Sequence, residues 1–273
     1  MSNITVSGLV PTYAGDNANE LRTAIKSLLN QTRQLDELVV VEDGPLTEEL
    51  IITLDRLENE SNIPLIREKL SENIGQGGAR REGVKRASCD LIAFHDADDI
   101  AVPNRIEQSL KVLLQTGSDL VGGYIEEFEG DPENPHAIRK VPCDPVEIRK
   151  YAKFRSPINQ TAALARKKSI LEAGNYRAVN RMEDYELWVR MLMTGHELRN
   201  IPEVLAKVRA GRSMYNRRGG IDYAREEVRI QQYMVQLGFI SRYRALYNIL
   251  ARVGIRLLPN SVRGYIYRNF LRE

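Results

Sequence analysis

The sequence predicts an α/β protein whose mostly parallel sheet is covered by helices on both faces. Three observations carry that expectation: short runs that stay apolar on successive residues, amphipathic segments between them, and polar clusters where the runs end. At 273 residues the chain can bury a substantial interior without disulfides.

Ile4 to Val10 (ITVSGLV) reads as the first strand, and the segment after it sets Leu21, Ile25, Leu28 and Leu29 on one helical face. Glu37 to Gly44 (ELVVVEDG) is a second strand and turn, after which Thr47 can cap a helix carrying Ile51 and Leu54. IPLIRE is a third strand, GQGGARREGVKRAS opens a helix from glycines, and Leu91 to Phe94 is a fourth strand, apolar throughout. Past Arg105, a helix with Ile106, Leu110, Leu113 and Leu114 leads to the strand DLVGGYIEEF. EGDPENPHAIRKVPCDP is a proline-punctuated loop or edge excursion. NQTAALARKKSILEAGNY reads as strand, short helix and a stop at Gly174. EDYELWVRMLMTG is a helix with Trp188, Met191 and Leu192 inward and Gly195 at its C-terminal end. The tail from Ile221 onward reads as wholly helical.

The 39 Lys+Arg and 37 Asp+Glu leave a formal charge of +2, which argues against a surface built for nucleic acid. Cys89 and Cys143, without a Cys/His grouping at zinc spacing, read as ordinary thiols of a reducing compartment. The N-terminus lacks a secretory pattern, and no run approaches the ~18 apolar residues of a membrane span. A cytoplasmic protein is expected, either soluble or peripheral on the inner face of the cell membrane.

In an open parallel sheet the ligand crevice lies outside the carboxyl ends of the strands. Three polar groups fall there: Pro11-Thr12-Tyr13, Glu42-Asp43-Gly44 and Asp96-Ala97-Asp98-Asp99. Carboxylates this close repel one another unless a cation offsets the repulsion, and hard oxygen ligands suit Mg²⁺ or Mn²⁺ together with substrate phosphates. The competing reading has Asp98 or Asp99 cap the helix that Pro103 helps begin. NIGQGGARREG offers a helix N-terminus and Arg80 to an anion, or is a plain turn; it lacks the Gly-Lys-Ser/Thr of a P-loop. Glu183 and Asp184 either favour a helix dipole or supply a general base. VRAGRSMYNRRGG, with Arg209, Arg212, Arg217 and Arg218, is either a lid over a diphosphate or a solvated basic loop.

Taken in order, VPTY, SLLNQT, ELVVVEDGP, ENIGQGGARREGVKRA, LIAFHDADDIAVPNR and MEDYELWVRMLMTG resemble the family 2 glycosyltransferases of the GT-A fold. Within that family they are most similar to the bacterial exopolysaccharide and O-antigen branch typified by the amylovoran biosynthesis transferases. The likeness runs from about Ile4 to Gly220. It implies a Rossmann-like central sheet with a C-terminal helical extension, divided into a nucleotide-sugar half (1–115), an acceptor half (116–220) and a basic helical tail (221–273). By this resemblance, Pro11, Thr12 and Asp43 line the nucleoside pocket, with Tyr13 and Ala97 on the same donor side and Arg80 beside the base or diphosphate. Asp96 and Asp98 match the DXD pair, Asp98 as the direct ligand of Mn²⁺ or Mg²⁺ and Asp96 nearer the ribose. Asp184 matches the base, with Glu183 beside it, and Arg209 and Arg212 fall on the acceptor or diphosphate side.

Two positions depart from the family pattern: Arg81 stands where many relatives have asparagine, and Arg209-Ala210-Gly211 where many have Arg-x-His, which puts a third metal ligand in doubt. The implied activity is inverting transfer of a hexose or N-acetylhexosamine from a UDP-sugar to a saccharide or polyprenyl-diphosphate-linked acceptor, docked near Glu129 to Tyr151. The alternatives are a glycoside hydrolase, which needs neither diphosphate loop nor metal, and an inactive sugar-nucleotide scaffold or sensor, which would lack the base.

From Arg242 to Arg272 there are seven arginines and no acid, with Leu246, Ile249, Leu250, Val253 and Leu257 at helical spacing and Tyr265, Tyr267 and Phe270 beyond. Such a tail fits a helix lying on an anionic leaflet. Its alternative is a helix docked on the catalytic domain or on a second copy in a homodimer.

Overall fold

A computed structural model describes residues 4–177, 181–210 and 221–257. Four strands, β1 (Val6–Thr12), β2 (Glu37–Glu42), β3 (Leu65–Lys69) and β4 (Leu91–Phe94), pair in parallel in the order β3-β2-β1-β4. Helices α1 (Ala18–Leu29), α2 (Glu48–Glu60) and α3 (Gly75–Arg86) return the chain between them. The period of two along each strand divides the interior into two layers. Val6, Val10, Leu38, Val40, Leu91 and Ala93 pack with the apolar stripes of α1, α2 and α4 (Arg105–Thr116). Leu9, Val39, Val41, Ile92 and Phe94 pack against α3 and α7 (Glu183–Met193) on the other face. β1, β2 and β4 are buried at every position, and the runs Leu38–Val41 and Leu91–Phe94 are apolar throughout, whereas β3, at the sheet edge, ends in Arg67, Glu68 and Lys69.

Past β4 the sheet becomes mixed. β8 (Leu164–Arg166) lies antiparallel between β4 and β6 (Leu120–Phe128); β9 (Leu198–Arg209) runs parallel to β6, and β5 (Ile100–Ala101) closes that edge antiparallel to β9. The proline-punctuated stretch forms an edge strand, β7 (Ala137–Arg139), on β6, followed by the short helix α5 (Pro145–Tyr151). α6 (Lys167–Glu172) follows β8.

The sequence pattern conceals β9, because Pro202 and Glu203 interrupt it. Both residues are exposed, and the register against β6 jumps from Gly123↔Ile201 to Tyr124↔Val204, so the proline bulges out of the ladder. Ile51 and Leu114, expected inward, are exposed. Leu54, Ile106 and Leu113 are buried as expected, and the buried stripes are Leu50, Leu54, Leu57 on α2 and Ile106, Ser109, Leu113 on α4. Thr47 caps α2 as expected, its hydroxyl accepting from the Leu50 amide.

The tail is two helices, α8 (Ile221–Gln236) and α9 (Arg242–Leu257), separated by a turn that Phe239 and Ile240 anchor in the core. Among the described residues no helix is long and apolar enough to cross a membrane.

α7 enters the core through Trp188, which meets Phe94 and Tyr176 edge-on, with ring centroids 6.3 and 6.5 Å away. This aromatic trio joins the end of β4 to α7, so truncation opens a cavity at the centre of the fold. Trp188→Ala is expected to lower unfolding free energy by about 3–5 kcal/mol, measured as a fall in the urea midpoint at unchanged slope.

Candidate active site

The chain reverses its direction of sheet growth at β1, with β2 on one side and β4 on the other, so a crevice opens above the ends of these three strands. Thr12, buried at the end of β1, accepts the Asp43 amide on its carbonyl at 2.8 Å, which holds the turn after β2 against it. Asp43 is itself buried and places one carboxylate oxygen 2.7 Å from the Ile74 amide. Gly44, at φ +85°, completes this turn; a Cβ there would stand 2.7 Å from the Asn73 nitrogen, so only glycine fits. Tyr13 projects from the rim with 42% of its surface exposed, and Ala97 is buried in the turn after β4.

The β4 turn carries the acids. Asp98 has its carboxyl pushed up to about 6, by burial first and then by the negative charges of Asp96 and Asp16. Asp16 is also raised, mainly by burial, although it accepts from the Thr12 hydroxyl and the Tyr13 amide. The sequence reading did not single out Asp16; the signal available was its place between the end of β1 and Asn17, the α1 N-cap.

The helix-capping role considered for Asp98 or Asp99 is not what they do. α4 begins at Asn104 without a side-chain cap, and Asp99 is buried, accepting the Arg209 amide at 3.1 Å. Burial, then Asp98 and Asp96, raise the Asp99 carboxyl well above the usual carboxylate range.

Arg80 links Asp96 of the β4 turn to α7. Its guanidinium is 3% exposed; one nitrogen contacts Asp96 at 2.5 Å and another donates to Glu183. Despite burial, the two carboxylates hold this arginine firmly protonated, above its usual range. The glycines before it make the approach: a Cβ on Gly77 would lie 2.7 Å from the Arg177 carbonyl and 3.1 Å from the Glu183 Cβ. The glycine-rich helix start therefore packs on the start of α7. Arg181 and Met182 lead into that helix with φ of 72° and 58°, a left-handed pair of non-glycine residues. Glu183 is thereby directed into the core onto Arg80, and Asp184 is left half-buried beside it.

Beneath the turn, His95 and Arg105 are both buried. The His95 Nε2 donates to the Asp99 carbonyl, and its Nδ1 faces Arg105 at 3.2 Å and the Thr161 hydroxyl at 3.1 Å. Burial, then Arg105, lower His95 to about 4, so the ring is neutral and orients the turn through hydrogen bonds. Arg105 donates to the carbonyls of Phe94 and Ala163, and burial lowers it to about 10.

Arg209, at the end of β9, pairs with Glu20 at 3.0 Å and lies over the Phe128 ring. Arg212, Arg217 and Arg218 lie outside the described residues.

Among the described residues no three His, Cys, Asp or Glu side chains stand close enough to hold a metal ion by themselves. The donor set at the β4 turn is nevertheless all oxygen, and like charge raises its affinity for a cation. That chemistry fits a hard divalent cation such as Mg²⁺ or Mn²⁺.

Residues 7–183 match the family model described as glycosyl transferase family 2. The chain is 35% identical over 268 residues, 98% of its own length and 96% of the relative's, to an Escherichia coli UDP-Gal:alpha-D-GlcNAc-diphosphoundecaprenol beta-1,3-galactosyltransferase. It is 33% identical over 264 residues, 96% and 97% of the two chains, to the amylovoran biosynthesis glycosyltransferase AmsE of Erwinia amylovora. Among solved structures it is similar to S. aureus TarS 1-349 in complex with UDP-GlcNAc, with TM-score 0.69, 18% identity, and 93% and 72% of the chains covered. It is also similar to the mannosyltransferase PcManGT of Pyrobaculum calidifontis in complex with GDP-Man and Mn2+, with TM-score 0.66, 16% identity, and 94% and 77% covered. The fold is that of the GT-A glycosyltransferases.

The raised carboxyl of Asp98 has a thermodynamic consequence in the metal-free protein. The folded state holds a proton there that the unfolded state, with its carboxyl near 3.8, has lost, so stability declines as pH rises from 3.8 to about 6. In chelator, Asp98→Asn should raise the melting temperature at neutral pH, and the gain should shrink as pH falls toward 4.

Proposed function

The chain belongs to glycosyl transferase family 2, and from that premise we propose that it is an inverting, metal-dependent transferase acting in bacterial surface polysaccharide synthesis. It moves a hexose or N-acetylhexosamine from a UDP-sugar to a saccharide carried on a polyprenyl diphosphate. The donor and acceptor classes follow the printed name of the Escherichia coli relative, which this chain matches over nearly its full length. In this reading residues 1–115 hold the donor, 116–220 the acceptor, and 221–273 form the tail.

One observation carries the proposal: Arg80 ties Asp96, at the crevice above β1, β2 and β4, to Glu183, the neighbour of Asp184. Two carboxylate groups with different tasks are thereby held at a fixed separation across one buried cation.

Asp43, with one oxygen on the Ile74 amide, presents the other to an N–H donor of the base, over the floor made by Pro11 and Thr12. Asp96 is directed toward the ribose, and Asp98 would hold a Mn²⁺ or Mg²⁺, which when bound would supply positive charge against the diphosphate leaving group. Asp184 takes the proton from the acceptor hydroxyl, whose oxygen bonds to the anomeric carbon as the bond from that carbon to the diphosphate oxygen breaks. UDP leaves with the electron pair, and the anomeric centre inverts. Glu183 is committed to Arg80, which leaves Asp184 as the carboxylate open to an acceptor. A scaffold or sensor that had lost catalysis would not need this pair.

Asp184→Asn should lower the transfer rate by about 10²–10⁴-fold while UDP affinity stays within about twofold, read by UDP release and by calorimetry. Normal turnover in that variant would remove Asp184 from the role of base. Asp98→Ala should abolish the dependence of UDP binding on added manganese; manganese-dependent binding of wild-type strength would remove it as a ligand.

A further inference from the structure

α9 is docked in an unusual orientation. Ala245, Asn248 and Arg252 lie on one side of it. Asn248 donates to the Lys153 carbonyl and to Gln231, Arg252 reaches the Phe154 carbonyl at 2.6 Å and Glu227 at 2.8 Å, and Ala245 is buried. A largely polar face thus holds the helix to the domain. The opposite side presents Tyr243, Leu246, Tyr247 and Leu250, spaced i, i+3, i+4, i+7, and these are 87%, 56%, 61% and 68% exposed. No other element among the described residues carries four exposed large apolar side chains. Arg242 and Arg244 flank the stripe, one on each side of the helix; Arg242 is exposed and Arg244 half-buried over the Phe154 ring.

We propose that the Tyr243–Leu246–Tyr247–Leu250 face of α9 seats the protein on an anionic lipid surface. An apolar stripe with tyrosines and the exposed Arg242 beside it suits the boundary between headgroups and acyl chains, where an arginine stem follows the apolar surface and its head meets lipid phosphate. The charge is one-sided, with no acid between Arg242 and Arg272, as an anionic leaflet requires and a self-complementary dimer contact does not.

The inference rests on the lipid-linked acceptor proposed above, and the structure supplies a physical path to it. The carbonyls that hold α9, at Lys153 and Phe154, directly follow Ala152, whose carbonyl accepts the Tyr185 hydroxyl at 2.6 Å. Tyr185 is the residue after Asp184. The helix proposed to meet lipid is thus joined through residues 152–154 to Tyr185, the neighbour of the proposed base.

The test is co-sedimentation of the full chain with phosphatidylglycerol vesicles and with phosphatidylcholine vesicles, for wild type, Leu246→Glu and Leu250→Glu. These positions are exposed, so the variants should keep the wild-type melting temperature. Wild type should bind phosphatidylglycerol and not phosphatidylcholine, and each substitution should weaken partitioning about tenfold. Equal partitioning of wild type and both variants, or no vesicle binding by wild type, would overturn the proposal. So would a sedimentation-velocity dimer that both variants convert to monomer, since the stripe would then serve a second copy.

Transfer to a vesicle-embedded polyprenyl-diphosphate acceptor, compared with a short-chain soluble analogue, separates the two readings. Loss by the variants on the embedded acceptor alone supports the lipid seat. Absence of wild-type turnover on both acceptors, with vesicle binding intact, would instead fail the acceptor assignment.

Discussion

A single buried cation organises the molecule around its crevice. Arg80 is removed from water, which alone would cost several kcal/mol, and is retained because Asp96 and Glu183 occupy its two sides. Two backbone features near the crevice make that contact possible. α3 has glycine at Gly77 so that its first turn reaches the backbone of Arg177, and α7 begins from a left-handed pair so that Glu183 points inward. The consequence is mechanical as well as electrostatic, because the parallel half of the sheet and the helix bearing Asp184 cannot shift independently without exposing a charge.

A second, weaker support lies below the same turn. Neutral His95 and charged Arg105 use their donors mainly on carbonyls: those of Asp99, Phe94 and Ala163. They stiffen the backbone that carries Asp96 and Asp98, of which Asp96 is offset by Arg80 while Asp98 is raised by burial and by the charges of Asp96 and Asp16. Asp99 extends the arrangement by accepting the Arg209 amide, which joins the acidic turn to the end of β9.

The parts of this arrangement that follow from local pattern were readable in the sequence. β2 and β4 are apolar runs because both of their faces are covered, and the polar groups after β1, β2 and β4 fall at one end because the strands are parallel. Thr12, Asp43, Asp96 and Asp98 could therefore be brought to one crevice from spacing alone. What depends on distant pairing was not readable. β9 has Pro202 and Glu203 in its middle and resembles a loop until its bulged partnership with β6 is seen. Arg80 reads as an anion-binding side chain, since nothing in its neighbourhood along the chain reveals Glu183, which lies 103 residues away. Ile51 and Leu114 were misplaced for a similar reason: each has an apolar neighbour, Leu50 and Leu113, and which of two adjacent apolar residues turns inward is settled by what the helix packs on.

The left-handed pair Arg181–Met182 sets a limit on how stable this protein can become. Glycine at either position would relieve the backbone, and in most surface turns selection or design would accept such a change. Here relief would also free the first turn of α7, whose fixed departure angle separates the inward acid from the outward one. Variants selected for heat resistance should therefore accumulate changes almost everywhere else before they touch these two residues. A glycine arriving there should trade the fixed placement of Glu183 and Asp184 for the backbone relief it brings.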